Sequence, residues 1–244
     1  MDTALMSEYE TRHGDVISRR YTTNAHARRA LLRLVLGAAV LLPLAVHFGQ
    51  QVIEAFLPAF ALIFGWVADD FQLLRLAVDH EGSDLVLRAT VMWKHIMFFG
   101  PHVIYPDARG TANASTLLAH ALQGPIAAML VAITWPTTGV LFHSSSLGWT
   151  ERALRTLFMI PLMGLLVMID MPLVLAGELW HFTLDALAPD TFCALVTWKF
   201  FMQGGGRYAL AIAMAVLAVL LGRVTATRLQ QRQASIRQTA KRLA

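Results

Sequence analysis

Long, uninterrupted apolar blocks dominate this chain, where a soluble domain would show short periodic stripes. Four are of membrane-spanning length: residues 30–50, 114–136, 154–177 and 207–222, the last being the shortest. A fifth block, 51–68, is different in kind. It is aromatic (Phe56, Phe60, Phe64, Trp66), carries Glu54 and Pro58, and follows Gln50-Gln51. That mixture predicts an amphipathic helix lying in the membrane interface, although the sequence alone leaves a span open.

After the fifth block the pattern turns polar. Residues 74–79 and 85–91 are extended runs flanking His80-Glu81-Gly82-Ser83-Asp84, where glycine supplies a left-handed turn position, so a β-hairpin is expected. A third run, Val103-Ile104-Tyr105, follows the Gly100-Pro101 turn and ends at Pro106-Asp107. The segment 69–113 is thus read as a β-hairpin or three-stranded sheet. About forty residues bury too little surface to stand alone, so the sheet must rest on the aromatic helix or on a partner. Residues 178–206 mix Trp180, Phe182, Trp198 and Phe200 with Asp185, Asp190 and Lys199, which predicts interfacial helices broken at Ala188-Pro189 and closed by Gly204-Gly205-Gly206. The expected fold is a mainly α, polytopic membrane protein of about four transmembrane helices with a small extracytoplasmic sheet.

Composition agrees: 56% of the 244 residues are hydrophobic and 15% charged, against about a quarter charged in soluble domains. Charge sets the orientation. With four spans, residues 1–33, the loop from Trp135 to Arg155 and the tail 223–244 hold fourteen of the twenty Lys and Arg residues. The other six face eleven acids outside or within the spans, so both termini are expected on the cytoplasmic side. The long polar N-terminal stretch and the lack of a small-residue cleavage site make the first span an uncleaved anchor. The acid-free tail reads as contacting anionic lipids; without interleaved aromatics, no nucleic-acid partner is expected. The loop at His143-Ser144-Ser145-Ser146 reads as a flexible linker.

Candidate chemistry is sparse. Asp170, in Val167-Met168-Ile169-Asp170-Met171-Pro172, is an ionisable group deep in an apolar block, and needs either a proton or a partner such as Arg207 or Lys199. Glu178 and His181 have the spacing of two ligands on one helix face, with Asp185 a turn further on, but the chain lacks the second such motif that a two-metal bundle requires. His47 and His120 raise haem as a minor alternative. His80, His95 and His102 match no metal spacing, and Cys193 is the lone thiol. No catalytic residue, cofactor or metal is expected, and no phosphate loop, dinucleotide fingerprint or nucleophile elbow is present. The polar group Asp170, Glu178, His181, Asp185 and Arg207 is the candidate intramembrane or interfacial site. Arg75, Asp79, Arg88, Trp93 and Tyr105 are the candidate docking residues of the sheet.

The layout as a whole resembles the small accessory membrane proteins associated with exosortases. The likeness rests on the first span, the aromatic helix, the Asp79-His80-Glu81-Gly82-Ser83 hairpin, the lead through Asn113-Ala114-Ser115-Thr116-Leu117-Leu118 into the second span, and Gly204-Gly205-Gly206-Arg207 before the last. It implies a bacterial inner-membrane protein that partners other membrane subunits and is not itself the sorting peptidase, since no histidine follows Cys193. A transport component using Asp170 and a haem or metal redox subunit are the alternative functions.

Overall fold

In a computed structural model, the backbone is described for residues 3–107, 110–137 and 145–243. The chain opens with a single helix, α1 (Thr3–Val67), that passes through Pro43 and Pro58 without ending. The block 51–68 therefore continues the helix of block 30–50 and does not form a separate helix. Its apolar stripe is covered by protein: Ile53, Phe60 and Phe64 are fully buried beneath the sheet and against a neighbouring helix. An amphipathic face reads the same in sequence whichever apolar phase covers it.

The sheet follows directly. Strands β1 (Phe71–Glu81) and β2 (Asp84–Trp93) form the expected hairpin, longer than its apolar runs suggest, with Glu81 opposite Asp84. Gly82 sits at φ 64° between them, in the left-handed region that costs any other L-residue. A bulge between Leu73 and Arg75 shifts the register of β1. The third strand of the sheet corrects the sequence reading. It is β5 (Thr111–Leu117), antiparallel to β2 with Ala89 opposite Ala114, giving the order β1-β2-β5. Val103 and Ile104 belong to β4 (His102–Ile104), which pairs only with β3 (Met97–Phe99) in a separate small hairpin. β5 runs straight into helix α2 (Leu118–Thr134), so the expected span 114–136 begins as a strand.

Helix α3 (Ser145–Leu187) absorbs the latter part of the expected loop 137–153, the span 154–177 and the first expected interfacial helix in one piece, through Pro161 and Pro172. The linker at His143-Ser144 lies outside the described residues. After a turn at Pro189 the chain returns as α4 (Ala194–Phe201), a short π-helical stretch (Met202–Gly206) and α5 (Arg207–Leu243). The triple glycine is the joint of this descending arm: Gly205 has φ 113°, bending the axis between α4 and α5. The expected tail 223–244 is the end of α5, most of its last side chains lying outside the described residues.

Among the described residues three helical stretches are long and apolar enough to cross a membrane: Ala27–Val67, Gly148–Leu187 and Ala194–Gln233; Leu118–Thr134 is apolar but shorter. Two cores hold the molecule together. In the first, Leu87, Ala89 and Val91 of β2 and Ala114 of β5 pack on Phe60 and Phe64 of α1 and on Met171, Leu175 and Leu179 of α3. The sheet needs this support, because its own strands bury one face only. In the second, Ala211, Ala215 and Ala218 of α5 line up at helical spacing against Ala128 and Ala132 of α2 and Met159 and Leu166 of α3. Small residues every three or four positions let backbones approach closely, the packing that works where lipid removes the hydrophobic drive between helices.

Candidate functional site

The polar residues around the sheet divide between its two faces and the helix ends below it. Strand alternation puts Arg75, Asp79, Arg88, Thr90, Asn113 and Ser115 on the face turned from the core. Here they bond to one another. Arg75 Nη2 donates to Asp79 Oδ1 at 2.8 Å, Arg88 Nη2 to Glu81 Oε2 at 2.9 Å, and Thr90 Oγ1 to Asn113 Oδ1 at 2.7 Å. Of the candidate docking residues, Arg75, Asp79 and Arg88 thus share a solvent-facing polar ladder, and Tyr105 is 66% exposed. Trp93 is placed differently. Its ring is 4.5 Å from Phe71 and 6.0 Å from Trp180, and Phe99 closes the group at 6.3 Å from Trp180. This cluster seams sheet, small hairpin and α3 together. Beside it Phe98, Phe99, Trp180, Leu184, Phe192 and Cys193 line an open cavity of about 420 Å³. At the sheet's corner, Lys94 donates to Asp69 at 2.7 Å, and that bond holds the exposed Asp69 carboxyl below its ordinary pKa.

Below the sheet, charges meet in layers along α3. Arg207 Nε, at the first turn of α5, donates to Asp170 Oδ2 at 2.7 Å, and both side chains are 5% exposed. His120 of α2 is half buried and interacts electrostatically with both. Asp170 Oδ1 and Arg207 Nη2 are buried without a hydrogen-bond partner, so the pair is a single contact and not a fork. Two turns further along α3, Glu178 pairs with Lys199 of α4 at 2.7 Å, so of the two cations expected for Asp170 only Arg207 reaches it. Glu178 and His181 are drawn apart: His181 stacks edge-on with Phe200 at 5.1 Å, its Nδ1 unpartnered, while Asp185 is exposed. No group of three potential metal ligands occurs among the described residues. His47 is exposed against Phe48, whereas His120 faces the Asp170 pair.

Sequence reasoning missed a third layer. Buried Glu151 accepts from Arg155 one turn along α3 and from Arg223 Nε of α5 at 3.2 Å. Arg155 and Arg223 also cap the end of α2, donating to the carbonyls of Trp135 and Pro136 at 2.9 Å. The four-residue spacing of Glu151 and Arg155 was the one visible clue. Comparison with protein-family models, with curated proteins and with solved structures gave no match. The site must be interpreted from its own geometry.

Proposed function

We propose that the chain is a four-span protein of the bacterial inner membrane, α1 and α3 running outward and α2 and α5 returning, both termini in the cytoplasm. The two charged layers support this placement. Glu151 and Asp170 are nineteen residues apart on α3, and Arg207 and Arg223 sixteen apart on α5, or about 28 and 24 Å of helix. That is close to the thickness of a hydrocarbon core, and only the alanine-lined seam lies between. The cytoplasmic layer then coincides with the basic side of the sequence.

Within that frame the proposed role is an accessory or scaffold subunit whose extracytoplasmic sheet docks another membrane subunit, the role that the resemblance to exosortase-associated proteins also implies. One observation carries it. The sheet packs on the ends of α1 and α3, yet β1, eleven residues long, is an edge strand with no second strand partner among the described residues. Open edges of this kind pair with other chains, and Phe98, Val103 and Tyr105 add exposed apolar surface nearby. Purification at native expression tests the role: a partner subunit is expected to co-purify, and to be lost from Arg75→Glu/Tyr105→Asp with the fold intact. A lone monodisperse monomer would overturn it.

A second reading, transport through Asp170, is favoured by the buried, unpartnered Asp170 Oδ1 and Arg207 Nη2. It requires Asp170→Asn to abolish flux while assembly survives, and unaltered flux rules it out.

A further inference from the structure

Among the described residues, the layer around Glu151 holds more positive charge than it neutralises. A cavity of about 270 Å³ between α1, α2 and α3 is lined by Arg33, Arg152 and Arg155 together with Met129, Ile133 and Met159. Arg155 is 3% exposed; its terminal nitrogens are occupied by Trp135, Pro136 and Glu151, but its Nε is buried with no partner. Arg33 and Arg152 make no ion pair among the described residues and lie close enough to repel each other. Three arginines thus line one space, while among the described residues the acid beside them, Glu151, is fully buried and already shared by Arg155 and Arg223.

We propose that this cavity binds the phosphate of an anionic phospholipid from the cytoplasmic leaflet. The phosphate oxygens would be clamped by Arg33 and Arg152, with the Arg155 charge behind them, geometry that guanidinium groups suit better than ammonium. The methionines and Ile133, which is 40% exposed, offer the glycerol and first acyl carbons an apolar wall open toward lipid. Trp149, 72% exposed with Arg152 5.7 Å from its ring, is the kind of residue that marks a membrane–water interface at this level. Basic pockets between helices on the cytoplasmic side are a recurrent way of recognising such headgroups. The site is distinct from the end of α5, where Arg228 and Arg232 line another cavity.

The proposal rests on the membrane placement above, and the test separates the two. The full chain is reconstituted into nanodiscs of phosphatidylcholine alone or with phosphatidylglycerol, and retained lipid is counted by native mass spectrometry after gentle delipidation. One phosphatidylglycerol per chain is expected. Arg33→Gln/Arg152→Gln should weaken retention by about five-fold per arginine, hence about 25-fold, with unchanged melting in phosphatidylcholine. Arg228→Gln/Arg232→Gln in the tail should retain it. Equal retention by wild type and the Arg33/Arg152 variant, or displacement of the lipid by millimolar inorganic phosphate, overturns the proposal; failure to enter nanodiscs overturns the membrane placement itself.

Discussion

Removing the Asp170 carboxylate should be far more damaging than removing the pair. The two groups are 2.7 Å apart, each about 5% exposed, and bridge α3 to the first turn of α5. With an effective dielectric of about 20 and charge centres about 4 Å apart, their attraction is about 4 kcal/mol. Taking away one partner strands the other, at a cost of about 3–5 kcal/mol; replacing both with apolar residues removes two desolvation costs together with the attraction and is close to neutral. Asp170→Leu and Arg207→Met are each expected to lower the melting temperature sharply in detergent, measured by size-exclusion chromatography of a fluorescent fusion after heating. The double variant should recover most of the loss, with a coupling energy above about 2 kcal/mol. Additive losses, in which the double variant is as unstable as the sum of the singles, would refute the assignment of Arg207 as the counter-ion that keeps Asp170 in place.

Three further outcomes test other joints. Gly177→Val should abolish monodisperse protein, because a Cβ there would run into the Leu195 carbonyl and stand 2.9 Å from Lys199 Cβ, whereas Gly204→Ala, with open space around it, should be tolerated. Gly82→Val should cost the hairpin about 1–2 kcal/mol, measured by thermal unfolding, and Gly82→Asn distinctly less, since asparagine adopts φ near 64° more readily. The Asp69–Lys94 bond makes its contribution while the carboxylate is ionised; because Lys94 lowers the folded pKa below the ordinary 3.8, that contribution is complete above the ordinary value and fades as pH falls through the folded one. Asp69→Asn should therefore lower stability slightly at neutral pH and leave the low-pH limb, where the bond is already lost, nearly unaltered, and molar salt should blunt the difference.

What the sequence made legible was whatever a single segment specifies by itself. Apolar blocks announce long helices by their length, and Gly82 between two extended runs announces a hairpin. Asp170 announces a counter-charge, because an ionised carboxylate in an apolar block has no other way to remain there. The choice between Arg207 and Lys199 was beyond it, depending on the bend at Gly205, which no local preference dictates. β5 was hidden because Thr111, Ala112, Asn113, Ala114 and Ser115 have little apolar alternation; their strand exists through the ladder with β2. Glu151 gains its meaning only when α5 brings Arg223 to it across the fold.

The unbroken course of α1 constrains how this chain can change in length. Arg33, at the basic cavity, and Phe60, under the sheet, lie on one helix twenty-seven residues apart. Each residue inserted or deleted between them would turn one end relative to the other by about 100° and shift it 1.5 Å, so Phe60 would leave its pocket or Arg33 its cavity. Insertions should be admissible at the Gly82-Ser83 turn and near Pro189, where the chain reverses, and inadmissible over this stretch unless they come in whole turns. The helix thereby acts as a gauge, fixing the distance between the basic cavity and the sheet.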